Sequence, residues 1–493
     1  MKMSNLSILA AACMLSTSAY GLKTEDRVIK ANYVVEYTKT PGAVNSFSEM
    51  FSEGDIYGRV RSHMFWWDWD NANPNGSTED GNMWGFGGSL VYKTGYLNGF
   101  GATVGFYGSV PLVGENRNDR GNYGKSGKDT YRQDVDGHEL PLGNFAEAYL
   151  EYKYGKSNIK IGRQGIDTLM IATNDTKMVP NTFEAAMIET KEIPDTNLRL
   201  GYITKQKLRD HNKFHSILAF DGAKKVNYND DVGTHKGLTP TAIKARGASV
   251  NPDMILLNVS NKSIPNLKLD GEFLHINDYF STAVAEANYK IALGDWTLTP
   301  GVRYIKQMDD GAGKIGGASI TGKVKTQAQA TTNGYKAHDS VDTHAWMARL
   351  VAESGPLSLQ VGYARIADKA DIIAPWRGFP TGGYVRSMAI MDWQANTKSW
   401  AVKMGYDFGK AGIMDGLKVV ADYENINYDD RKIAASGLTD RNTLHVDVWK
   451  TFKSLPNTEF KFRFATIDAE KAPTAAEDYN SYNEYRFEVN YLF

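Results

Sequence analysis

At the C-terminus, Tyr485, Phe487, Val489, Tyr491 and Phe493 alternate with Arg486, Glu488, Asn490 and Leu492. A period of two in an extended chain makes one oily face and one mostly polar face. Similar segments recur at 55–67, 83–95, 99–109, 143–155, 157–165, 181–191, 195–204, 254–263, 266–276, 280–292, 295–306, 342–354, 357–366, 397–408, 415–428, 440–452, 457–468 and 481–493. They predict about 18 strands, an even number. In the first, Ile56, Val60 and Met64 oppose Tyr57, Arg59, Arg61 and His63. Later, Phe460, Phe462 and Phe464 oppose Lys461 and Arg463, and Leu198, Leu200 and Tyr202 oppose Arg199.

The connections alternate between two kinds. Tight turns such as YLNG, YGKSN, EIPDT, SIPN, LGD, SGPL, FGKAGIMDG and SLPN close every second hairpin. Between them lie mostly long polar stretches, notably 110–142, 205–253, 307–341 and 367–396. A transmembrane barrel has this asymmetry, with short turns at the periplasmic rim and long loops outside. A soluble sandwich has no reason to keep it. The fold class expected is therefore all-β, a transmembrane antiparallel β-barrel whose oily faces meet lipid and whose charged faces meet a wet lumen. Trp66, Trp67, Trp84, Tyr96, Trp296, Trp346, Trp400, Tyr406 and Phe408 stand near strand ends, as interfacial girdles require.

The address agrees. MKMSNLSILAAACMLSTSAYG joins an early Lys2 to an apolar run and small residues, the layout of a secretory signal peptide. Residues 1–21 are expected to leave, giving a mature barrel domain of residues 22–493 that begins near Leu22. Cys13 is the only cysteine; if it leaves with the leader, disulfides and cysteine-ligated metals are excluded. No later apolar run reaches the ~18 residues of a membrane helix. Lys+Arg totals 56 against 57 for Asp+Glu, a balance that suggests no nucleic-acid partner.

With the alternation as read, the lumen carries Arg59, Arg61, Lys160, Arg199, Arg303, Arg349, Lys403, Lys418, Lys461, Arg463 and Arg486. Closing the ring sets the last strand beside the first. Arg59, Arg61, Lys461, Arg463 and Arg486 then share one wall, a basic track along which an anion can be handed from site to site. The plainer role for these charges is to hydrate the lumen and pair with inward acids such as Glu424, Asp447 and Glu488.

The stretch NDTKMVPNTF (174–183), followed by IETKEI, resembles the OprD family of outer-membrane porins. GDIYGRVRSHMFWWDWDN and GGSLVYKTGYLNGFGATVGFYGS are similar to that family's first three strands. The resemblance implies an eighteen-stranded barrel narrowed by its third and seventh outer loops. It also implies passive, substrate-specific uptake of small hydrophilic, often carboxylate-bearing solutes across the outer membrane of a Gram-negative bacterium. Asp175 and Lys177 would then stand at the constriction in the third loop, and Arg377, Tyr384 and Arg386 in the seventh. Outer-membrane lipids and small-molecule solutes are the expected partners. A homotrimer joined through lipid-facing strands is compatible with the same apolar faces.

Other chemistry finds little support. DWDNANPNGSTE (68–79) is rich in oxygen ligands but lacks EF-hand spacing, and GFGATVG (99–105) lacks the third glycine of a dinucleotide motif. The nine histidines show no HExxH, and no GxSxG nucleophile elbow is present. No metal, cofactor or catalytic residue is expected. The rival readings are an adhesin or a barrel enzyme with a plugged lumen.

Overall fold

Each alternating segment forms a strand in the computed structural model. It describes residues 22–493 apart from 25, 73–79, 115–129, 134–138, 210, 221–230 and 389–392. The wall strands are β1 (Asp55–Trp69), β2 (Gly81–Lys93), β3 (Phe100–Gly114), β4 (Leu142–Tyr154), β5 (Ser157–Gln164) and β6 (Thr182–Thr190). They continue with β7 (Thr196–Lys207), β8 (Met254–Asn261), β9 (Leu267–Ile276), β10 (Phe280–Tyr289), β11 (Trp296–Asp309) and β12 (Thr343–Ser354). The ring is completed by β13 (Leu357–Ile366), β14 (Lys398–Asp407), β15 (Leu417–Asn427), β16 (Arg441–Phe452), β17 (Leu455–Ala469) and β18 (Tyr482–Leu492). The expected leader, and positions 73–79 of the oxygen-rich stretch, lie outside the described residues.

Neighbouring wall strands are antiparallel, and β18 returns to pair with β1 from Tyr482↔Trp69 to Leu492↔Arg59. Closure removes the edges that lipid could not satisfy. At the seam, Phe493 exchanges backbone hydrogen bonds with Gly58 at 2.8 and 3.0 Å. A Cβ on Gly58 would fall 2.0 Å from the Phe493 ring, so glycine there is what lets the ring lie across the seam. The tight turns place Asn98, Asp195 and Asn266 in the left-handed region, where short polar side chains are tolerated.

The faces follow the period. Ile56 is 60% exposed and Val60 40% on the lipid side, against 2% for Arg59 and 1% for Arg61 within. Trp66, Trp296, Trp346 and Trp400 face outward. Trp67 does not belong to the girdle: it shares the parity of Arg61 and His63 and is buried with Phe65, Met83 and Tyr131.

The lumen is not uniformly wet. From β6 to β14 the inner faces near the outer rim carry apolar side chains among buried polar ones such as Gln206 and Gln307, and the long loops fold in upon them. Ile217, Leu218, Ala219, Ile372, Ile373, Ala374 and Trp376 are fully buried in one cluster with Phe183, Met254, Ile305 and Met347. Apolar runs inside the 205–253 and 367–396 stretches drive this collapse, since each buried side chain of this size is worth about 1.5–3 kcal/mol.

Ahead of β1, a short hairpin pairs Arg27–Ile29 with Val35–Tyr37. The chain then runs through Ala43–Val44, parallel to Tyr96–Leu97 at the first tight turn, and through the helix Phe47–Ser52. Leu22, Ile29 and Tyr33 are buried against Leu492, whose side chain lies on the luminal face of β18.

Candidate functional site

Outer loop 3 (165–181) and outer loop 7 (367–397) meet inside the barrel. Ile171 and Arg377 form a β-bridge, and the Ala172 amide donates to the Trp376 carbonyl at 2.9 Å. Loop 4 (208–253) braces both. The Trp376 indole donates to the Ile217 carbonyl at 3.1 Å, and Arg377 forms a buried ion pair with Asp231 at 2.5 Å.

Loop 3 is clamped to the β1 wall. The Asp175 carboxylate takes an ion pair from Arg59 and another from Arg61 at 2.9 Å; Arg61 also pairs with Glu488. The Lys177 ammonium lies 3.2 Å from the centre of the Phe65 ring, and the Arg486 guanidinium lies 4.6 Å from the same centre. Lys177 and Arg486 therefore meet at one aromatic ring.

Loop 7 is held on the opposite side. Arg303 donates to the Pro380 and Gly382 carbonyls at 2.9 and 3.0 Å, and Arg349 to Gly383 at 2.6 Å. Both cations stand near the Tyr384 ring, at 4.9 and 4.7 Å, and share Glu286 as counter-charge. The Ser387 amide donates to Glu424 at 3.0 Å, which returns the loop to β15.

Arg386 differs from the paired cations of the neighbouring wall. It is partly buried, its guanidinium lies 3.6 Å from the Phe379 ring centre, and among the described residues it has no ion pair. Burial pushes it down to about 10; Glu424 opposes the shift, and the positive charge of Arg463, Arg486 and Arg377 adds to it.

The wall cations sit among acids. Lys461 and Arg463 share Asp447 at 3.1 and 2.6 Å, and Arg486 takes Glu484 at 2.5 Å. Arg463 stands directly across from Arg486 in the ladder, and its side chain is 16% exposed against 1% for Arg59. His445 lies between Asp422 and Asp447 at 2.8 and 2.6 Å. Elsewhere, Lys160 pairs with Glu151, Lys403 with Asp422 and Lys418 with Asp407, while Arg199 donates to Asn258.

Sequence reasoning missed Glu484, Glu286, Asp231, Asp422 and Tyr33. Glu484 was readable, because Glu-x-Arg-x-Glu places Glu484, Arg486 and Glu488 on one face at period two. Asp231 was not, because loop 4 has no period from which to infer its position.

A closed wall with an oily outer face and a charged inner one needs a bilayer around it, and with two long loops folded into its lumen the class is an outer-membrane porin. Residues 51–493 match the model described as outer membrane porin, OprD family, and the chain belongs to that family. Among solved structures it is similar to Acinetobacter baumannii OccAB3 (TM-score 0.70, 17% identity, covering 90% of this chain and 99% of that one). It is similar also to Pseudomonas aeruginosa OccK9 (OpdG) (0.66, 19%, with 90% and 99% covered). A third is Pseudomonas aeruginosa OpdK with vanillate (0.66, 16%, with 90% and 99% covered). No curated protein matches the chain. The protein is a channel of the Gram-negative outer membrane and not an enzyme.

Proposed function

We propose that the channel favours small hydrophilic solutes bearing a carboxylate, and that Arg386 is the residue that selects them. The observation carrying this reading is that Arg386, unlike the cations paired around it, makes no ion pair among the described residues, with Glu424 acting on it only through space. A carboxylate can take the fork of a guanidinium bidentately. From Arg386 the solute would pass to Arg463, whose side chain is 16% exposed, and then to Arg486. Arg59 and Arg61, enclosed by Asp175 and Glu488, would shape the track from behind and contribute less contact. Asp447 and Glu484 would keep each step shallow, as conduction requires. The solved structure of OpdK contains vanillate, itself a carboxylate; that lends the reading support by likeness.

The test is Arg386→Gln in a planar bilayer, with benzoate block measured alongside the reversal potential in a salt gradient. Loss of one charged hydrogen-bonding partner, about 1.5–3 kcal/mol, should weaken block by roughly 10- to 100-fold and move the reversal potential toward cations. Equal block and equal reversal potential in the two proteins would remove Arg386 from selection.

A further inference from the structure

The family match begins at residue 51, yet the preceding segment lies inside the barrel. Its hairpin turn is docked on loop 3. Asn32 donates to the Thr173 carbonyl at 2.7 Å and to Asp167 at 3.2 Å, and its own carbonyl accepts the Asp175 amide at 2.8 Å. Tyr33, at φ 66°, turns its carbonyl to Arg59 at 2.8 Å. Its ring lies between two wall cations, 4.6 Å from the Lys461 ammonium and 5.9 Å from the Arg61 guanidinium. On the way out, Tyr37 packs on Tyr57 at 4.2 Å, and the Tyr57 hydroxyl donates to the Lys39 carbonyl at 2.8 Å. The segment therefore covers basic wall residues from the periplasmic side, while loop 3 covers them from the outer side.

Its first described residue is held more tightly than a loose end would be. The Leu22 nitrogen donates to the Glu459 carboxylate at 2.6 Å, and the Leu22 side chain packs against Ile29, Tyr33 and Leu492. Glu459 is 1% exposed, and its second carboxylate oxygen has no hydrogen-bond partner among the described residues. A buried carboxylate whose one hydrogen bond comes from an amide N–H, with Lys461 acting on it only through space, is poorly compensated. Processing after Gly21, the site read from the sequence, would turn that amide into an ammonium with three donors and a full charge below about pH 8.

We propose that residues 22–44 are a luminal strap that sets the bore and charge of the channel's periplasmic half, and that Glu459 is the receptor for the ammonium created on Leu22 by leader removal. The strap rests on the porin reading, and its latch rests on cleavage after Gly21. Tyr33 acts as a specificity-determining residue by covering cation surface on Arg61 and Lys461 that a solute anion would otherwise reach.

The experiment compares single-channel conductance and reversal potential for the full mature protein, a variant lacking residues 26–38, and the point variants Tyr33→Ala and Glu459→Gln. The deletion keeps the processing site and Ala43–Val44. It is expected to raise conductance several-fold and to move selectivity toward anions. Tyr33→Ala should shift selectivity the same way with a smaller rise, and Glu459→Gln should add rapid current fluctuations as the strap unlatches. Should the deletion fail to insert, the two point variants decide. Steady conductance through the unmodified protein with no change in any variant that inserts would overturn the strap while leaving the porin intact. N-terminal sequencing of the protein purified from membranes should begin at Leu22; any other start would overturn the latch.

Discussion

Asp175→Ala removes the carboxylate shared by Arg59 and Arg61, whose side chains are 1% and 0% exposed against 2% for Asp175 itself. Solvent screening is slight at that depth, so the surface discount does not apply. Breaking a buried pair from one side costs about 3–5 kcal/mol. Here Arg59 keeps the Tyr33 carbonyl and Arg61 keeps Glu488, which argues for the lower end. About 3 kcal/mol, at 1.36 kcal/mol per tenfold, shifts loop 3 toward release by roughly a hundredfold. Hydrogen exchange by mass spectrometry over residues 166–183 reads this directly. The Asp175 amide is held by the Asn32 carbonyl and the Asn181 amide by the Asn174 carbonyl, and both should lose about two orders of magnitude of protection. Adding Arg59→Met should restore part of it, because one stranded charge is then gone. Unchanged protection in Asp175→Ala would refute the claim that this carboxylate clamps the loop.

Two further outcomes follow from other contacts. His235 accepts the Gly237 amide on Nδ1 at 3.1 Å and donates from Nε2 to the Gly317 carbonyl at 2.9 Å, tying loop 4 to outer loop 6 (310–342). Burial pushes this imidazole down from 6.5 to about 4. Because the folded value is the lower one, the clasp is fully stable above about pH 6.5 and weakens as pH falls toward 4, by up to about 3 kcal/mol. Thermal melts should show that loss in the unmodified protein and not in His235→Asn, and a flat profile would contradict the assignment. At the seam, Gly58→Ala places a methyl 2.0 Å from the Phe493 ring and should displace it, at a cost of about 0.5–1.5 kcal/mol of aromatic packing. Refolding into detergent micelles, followed by heat-modifiable gel mobility, should slow; an unchanged rate would show that the ring is not needed for closure.

The wall was legible because one face of every strand meets hydrocarbon, and a slip of one residue would reverse all its side chains. Arg59, Arg61 and Arg486 were therefore assignable to the inside from parity alone. Residue type alone puts Trp67 in the girdle, and there the reading fails, because the parity of its own strand points it inward. The interior packing was less visible. Ile217–Ala219 and Ile372–Ala374 are short apolar runs within otherwise polar stretches, and a run of three carries no period. How far the wall and loop cations are neutralised also escaped the sequence, since Asp175 reaches Arg59 and Arg61, and Asp231 reaches Arg377, from loops distant along the chain.

The apolar packing of the outer loops bears on how this porin could be used as a display scaffold. Surface loops ordinarily accept inserted peptides, but tolerance follows the burial of the backbone involved and not its position in the diagram. An epitope spliced beside Ile373 would have to displace Ile372, Ala374 and Trp376, all at 0% exposure. The turn holding Gly412 and Ile413 faces open space and is the better graft point, although it presents the tag to the periplasm.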